Sequence, residues 1–128
     1  MQDFRKLQVW SKSHEFAILV YKIVGTFPQF ETFGLASQMR RSAYSIPTNI
    51  AEGAGRKTNA DFAQFLHIAL GSANEIDYQL LLAKDLKYID IDIYNDMYRV
   101  IGEIKGRTLS SNSCSRRYST LSRTPKVL

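Results

Sequence analysis

Between Phe33 and Lys57 the apolar positions keep a helical rhythm straight through a proline. Leu35, Met39, Ala43, Ile46, Ile50 and Ala54 recur at steps of three or four, the spacing that stacks side chains on one face of a helix. Pro47 lies inside that run, where it removes a backbone donor and crowds the carbonyl of Ala43, so the pattern predicts a kinked helix over 34–55. The opposite face carries Arg41, Ser45, Asn49, Glu52 and Arg56 at the same spacing.

Three further periodic stretches flank this one. Leu7, Trp10, His14, Ala17, Tyr21 and Val24 alternate steps of three and four, a seam pattern that predicts a helix over 4–26 with those residues facing inward. A second stripe, Phe16, Val20, Ile23 and Phe27, widens the arc, so this helix must bury two contacts. Thr58 or Asn59 can cap a third helix over 58–87, with Phe62, Leu66, Ala69, Ala73, Ile76, Leu80 and Ala83 as its core stripe. Its Gly71, Ser72 and Ala73 form a small-residue patch where another backbone could come close. Asp90 or Asp92 can cap a fourth helix over 91–108, where the pattern fades. Four helices with short connections and no strand signal predict an all-α, up-down-up-down four-helix bundle with a kinked second helix. The extra apolar faces predict a homo-oligomer.

Charge adds a boundary that periodicity does not give. Residues 1–106 hold twelve Lys or Arg and twelve Asp or Glu, so the formal net charge of +5 lies wholly in Arg107, Arg116, Arg117, Arg123 and Lys126. Serines at 110, 111, 113, 115, 119 and 122 compete with helix by bonding to their own backbone. The division is therefore a bundle over 1–108 and a basic, Ser-rich flexible tail over 109–128. No apolar run reaches the ~18 residues of a membrane span, and the first residues do not read as a signal peptide, so a cytoplasmic protein without membrane contact is expected. The single Cys114 has no partner for a disulfide or a zinc site.

Chemistry-bearing constellations are sparse. His14 and His67 read as packed or interface residues, and neither follows a Glu by three as a di-iron bundle requires. No Gly-rich phosphate loop, Ser-His-Asp set or metal cluster is present in the sequence, so no catalytic residue, cofactor or metal is expected and the protein is read as non-enzymatic. Arg40, Arg41, Arg56 and Lys57 could grip phosphates; Arg41 and Arg56 read rather as ion-pair partners, within or between subunits, along the face they share with Glu52. Asn49 and Glu75 read as hydrogen-bonded spacers, and Trp10, Tyr21 and Tyr78 as packing residues. Tyr118, between Arg117 and Arg123, is placed as a single-strand binder would place it.

DFRKLQVW at residues 3–10, FGLASQMRRSAYSIPTNIAEGAGRK at 33–57 and FLHIALGSANEIDYQLLLAKDL at 65–86 together resemble the four-helix-bundle proteins encoded in intervening sequences of bacterial 23S ribosomal RNA genes. The resemblance implies a homopentamer, and it extends to accessory variability proteins of retroelements, which act with a reverse transcriptase and nucleic acid. It brings no catalytic residues. The C-terminus departs from the family pattern, in which helix four continues, and this implies a shortened fourth helix. Two functions stay open: a nucleic-acid-binding or ribonucleoprotein accessory module that contacts RNA or DNA, and a scaffold that binds a partner protein.

Overall fold

The computed structural model describes the backbone of residues 1–121 and the side chains of residues 1–111. A 3-10 turn at Phe4–Lys6 precedes α1 (Gln8–Val24); a second at Gln29–Glu31 leads into α2 (Leu35–Ala54), followed by α3 (Asn59–Asp85) and α4 (Ile91–Leu121). No strand occurs among the described residues. Sequential helices pack as neighbours and α4 returns to α1, while among the described residues neither diagonal pair brings its backbones close. This is a square four-helix bundle.

Two boundaries depart from expectation. The first helix does not run unbroken from residue 4, because Leu7 is extended and separates the opening turn from α1. The fourth does not stop near 108: its backbone stays helical to Leu121, so the expected irregular tail is corrected as far as that residue. Ile101, Ile104 and Thr108 are buried and anchor α4 in the bundle. Neither glycine nor proline occurs between Gly106 and Pro125. Serine costs only about half a kcal/mol against Ala, and extending an anchored helix is far easier than starting one.

The helix ends are closed by side chains the sequence places there. The Thr58 hydroxyl accepts from the Asp61 amide (3.1 Å) and the Asp90 carboxylate from the Ile93 amide (2.8 Å), each satisfying a donor left over in the first turn. At α2 the work falls to Glu31, whose Oε1 accepts from the Leu35 amide (3.1 Å) while its Oε2 accepts from the Tyr88 hydroxyl (2.8 Å). Burial, and then the neighbouring Glu31, hold the Tyr88 phenol above its ordinary pKa. α3 ends in a Schellman motif: the Tyr88 amide donates to Ala83 and the Lys87 amide to Lys84, with Lys87 in the left-handed region at φ 63°. At the other end the Gln2 amide donates to the Ala54 carbonyl (2.7 Å), tying the N-terminus to the end of α2.

Inside, the expected stripes of α2 and α3 are buried, with Met39, Ala43, Ile46, Ile50, Leu66, Ala69, Ala73 and Ile76 fully so. α1 corrects its expectation. Phe16, Val20 and Phe27 enter the core, whereas His14 and Tyr21 are exposed and Trp10 is half-buried. Pro47 lies inside the continuous α2. The helix after it is braced by the Thr48 hydroxyl on the Tyr44 carbonyl (2.7 Å) and the Asn49 amide on the Ser45 carbonyl (2.8 Å). The close approach of α2 to α3 falls at Gly53, where a Cβ would sit 2.6 Å from Phe65 Cβ and 2.9 Å from Phe62 Cδ1. Gly71 instead faces open space, and only its neighbours Ser72 and Ala73 meet other groups.

Two outcomes are expected. Gly53→Ala gains helix propensity but overpacks a rigid contact, for a net loss of about 1–2 kcal/mol in chemical denaturation, whereas Gly71→Ala gains up to about 1 kcal/mol. The second concerns Glu103, which bonds Lys12 at 2.8 Å and Arg99 at 3.2 Å. The Lys12 hydrogen bond and charge, aided by Arg99, hold this carboxyl below its ordinary pKa. Its stabilising effect is therefore present at neutral pH and lost as pH falls through the depressed folded value. Thermal unfolding should show Glu103→Gln less stable than the parent at neutral pH, with the two converging in acid.

Candidate functional site

The basic residues of the body do not form one patch. Arg40 donates to the Thr32 carbonyl at 3.3 Å, at the start of α2. Arg56 pairs with Glu52 at 3.1 Å and lies over the Phe65 ring at 4.9 Å, so the ion-pair reading holds for Arg56. Arg107 donates to Gln8 Oε1 at 2.6 Å. Arg41 and Lys57 are exposed and have no ion pair among the described residues. Arg40 and Arg41 lie near the start of α2 and Arg56 and Lys57 just beyond its end, with about 20 Å of helix between Arg41 and Ala54 at 1.5 Å per residue. The side chains of Arg116, Arg117 and Tyr118 lie outside the described residues, although α4 carries their backbone; Arg123 and Lys126 lie outside entirely.

Asn49 and Glu75 prove to be bonded as expected. Asn49 donates to Ser45 Oγ (3.0 Å), Ser45 and Ser72 share a hydrogen bond of 2.9 Å, and the buried Ser42 hydroxyl bonds Glu75. These contacts make the α2–α3 side a polar seam. The α1–α4 side is closed by charge, through Lys12 and Glu103 and through Arg107 and Gln8.

The sequence reading missed a groove on the α1–α2 side. Trp10, His14, Ile18 and Tyr21 line it from α1, and Tyr44 and Pro47 from α2, enclosing about 560 Å³. The Trp10 and His14 rings stack in parallel at 4.9 Å, with an interplanar angle of 9°, and Phe4 meets Trp10 edge-on at 4.8 Å. His14 is thus part of an exposed aromatic surface rather than the core, and His67 is exposed on α3. Thr48, the one hydroxyl-bearing aliphatic residue of the lining, already bonds the Tyr44 carbonyl. Among the described residues no carboxylate lines the groove, whose mostly apolar lining suits it to apolar contact. Its signal was legible as the stripe of Trp10, His14 and Tyr21; only its direction was misread.

Across the square, the α3–α4 side carries a second apolar surface. Tyr78, Leu81, Tyr98 and Leu109 are exposed there, and Tyr98 stacks on Tyr94 at 6.0 Å. Among the described residues no group of three His, Cys, Asp or Glu could hold a metal, and no helix is long and apolar enough to cross a membrane.

These features were compared with known proteins. No curated protein matches the chain. A crystal structure of a protein of unknown function from the S23 ribosomal protein family, from Bacteroides thetaiotaomicron, superposes with a TM-score of 0.76 at 32% identity, covering 82% of this chain and 95% of that one. The sequence pattern of the 23S rRNA-intervening sequence proteins matches residues 5–110, a span that takes in the paired arginines, Pro47, all of α1 to α3 and the part of α4 up to residue 110. The chain belongs to the 23S rRNA-intervening sequence protein family.

Proposed function

We propose that the protein is a non-enzymatic, homo-oligomeric accessory module, assembled as a pentamer, that binds nucleic acid. The observation that carries this reading is the segregation of charge: the body is neutral, and all five excess cations lie from Arg107 onward. α4 continues past Thr108, the last buried position among the residues whose side chains are described, to Leu121. Cations on such an extension reach phosphates without disturbing the bundle. Phosphate contacts carry little sequence information, so binding by this segment is of low sequence specificity. Five cations give a salt slope no steeper than about −3.5 per chain on single strands at roughly 0.7 per contact. Assembly multiplies that weak contact, since joined sites raise avidity without any new interaction.

The neutral body and its apolar groove favour a second reading, a scaffold for a partner protein with no direct nucleic-acid contact. Binding of single-stranded RNA and DNA, followed by fluorescence anisotropy across salt concentrations, separates the two. Truncation after Ser111 spares buried Ile104 and Thr108 and removes Arg116, Arg117, Arg123 and Lys126. Its expected result is a large loss of affinity and a salt slope shallower by about 2.8, four contacts at roughly 0.7 each. An unchanged slope would move the site to Arg40, Arg41, Arg56 and Lys57. No binding by the intact protein would leave the scaffold. Sedimentation should give a mass near five chains, and a stable monomer at micromolar concentration would reject assembly.

A further inference from the structure

The four outer sides of the square alternate in character, and the alternation bears on how copies of the chain meet. The α2–α3 and α1–α4 sides are occupied by their own hydrogen bonds and ion pairs, Ser45 with Ser72 on one and Lys12 with Glu103 on the other. The α1–α2 side, lined by the aromatic groove, and the α3–α4 side, crossed by the Asp77–Lys105 ion pair but exposing Tyr78, Leu81, Tyr98 and Leu109 beyond it, are the more apolar two and lie opposite each other. Contacts fix the second of these surfaces: Tyr94 and Lys105 of α4 meet Lys84 and Asp77 of α3. At 100° per residue, Tyr98, Gly102 and Leu109 follow on the outward side of that contact. An isologous dimer through either apolar side would leave the other side open to water on both copies.

We propose that copies of this chain join head to tail, the α1–α2 groove of one receiving the α3–α4 face of the next. This rests on the homo-oligomer reading above and names the two surfaces that meet. Shape supports the pairing. The groove is a hollow of about 560 Å³, while Tyr98 and Leu109 stand 57% and 51% exposed on the opposite side. Between them, nothing lies within 4 Å of the Cβ positions of Gly102 and Gly106, which leaves a low strip for the groove's aromatic rim.

Charge supports it as well. Arg40 and Arg41 stand beside the groove near the start of α2, and no carboxylate lines the groove. The Tyr88–Glu31 bond places that end of α2 level with the α3–α4 connection. There Asp85, loosely paired with Lys84 at 3.6 Å, and Asp92 are exposed. Copies standing in parallel therefore bring arginines against carboxylates, whereas two grooves face to face double the hollow and supply no carboxylate.

Head-to-tail contact has a signature in mixtures that an isologous contact lacks. Tyr44→Glu destroys the groove and spares the face; Tyr98→Glu does the reverse. Each variant alone should be monomeric by native mass spectrometry. Mixed in equal amounts they should form a one-to-one dimer that grows no further, because only one intact groove and one intact face remain per pair. Circular dichroism checks that each variant folds, Tyr44→Phe and Tyr98→Phe should keep the parental mass, and Ile18→Glu with Leu109→Glu gives an independent pair. Parental assembly by Tyr98→Glu, or folded variants that stay monomeric when mixed, would overturn the proposal while leaving a homo-oligomer in place. A monomeric parent would remove the homo-oligomer reading itself.

Discussion

A helix in a square bundle has one inward arc, and α1 carries more apolar surface than that arc can hold. Phe16, Val20 and Val24 fill the interior, which leaves Trp10, Ile18 and Tyr21 outside on the flank shared with α2. The inward choice is set by the burial of Phe16, Val20 and Val24, and the exposed ties on the other flank, Lys12 to Glu103 and Arg107 to Gln8, accord with it. Rotating α1 to bury Trp10 would break both ties and withdraw Phe16 from the core. The groove is therefore a consequence of how the core is filled.

The other helices are set by closeness rather than by surplus. Gly53 lets α2 approach Phe62 and Phe65, and the polar seam of Ser42, Ser45, Ser72 and Glu75 runs along the same flank. Such a seam is tolerated because each member has a partner, which offsets the cost of taking it out of water. At the α3–α4 connection, Glu31 serves two masters, the open amide of Leu35 and the hydroxyl of Tyr88. That single side chain couples the start of α2 to the turn between α3 and α4.

Where one face of a helix was unambiguous, periodicity sufficed: the stripes of α2 and α3 are the buried ones, and Thr58 and Asp90 cap as their chemistry suggests. α1 defeated the same logic because two stripes competed, and a regular three-four alternation is equally the mark of a core seam and of an exposed contact surface. α4 defeated it differently. Serine-rich composition weighs against starting a helix, but α4 was already started and anchored by Ile101, Ile104 and Thr108. The candidate phosphate ligands were legible as residues and illegible as a site. Only tertiary contacts reveal that Arg40 and Arg107 are engaged by Thr32 and Gln8, or that the ends of α2 are too far apart to act together.

The separation of apolar faces from excess charge has its own physical consequence. An interface built from Trp, Tyr, Ile and Leu is insensitive to moderate salt and is strengthened by strongly hydrated anions such as sulfate, because exclusion of the salt from the surface favours burial. Contact with phosphates is weakened by any salt, since its driving force is release of condensed counterions. On the proposed function, assembly and nucleic-acid binding would therefore answer salt with opposite signs. In the proposed head-to-tail contact Arg40 and Arg41 would add a smaller electrostatic part, which fades once the ~8 Å screening length at physiological ionic strength shortens further. A protein that kept its cations on the interface would lose assembly and binding together. On the proposed function, the neutral body would leave the assembled state in place while the basic extension let go.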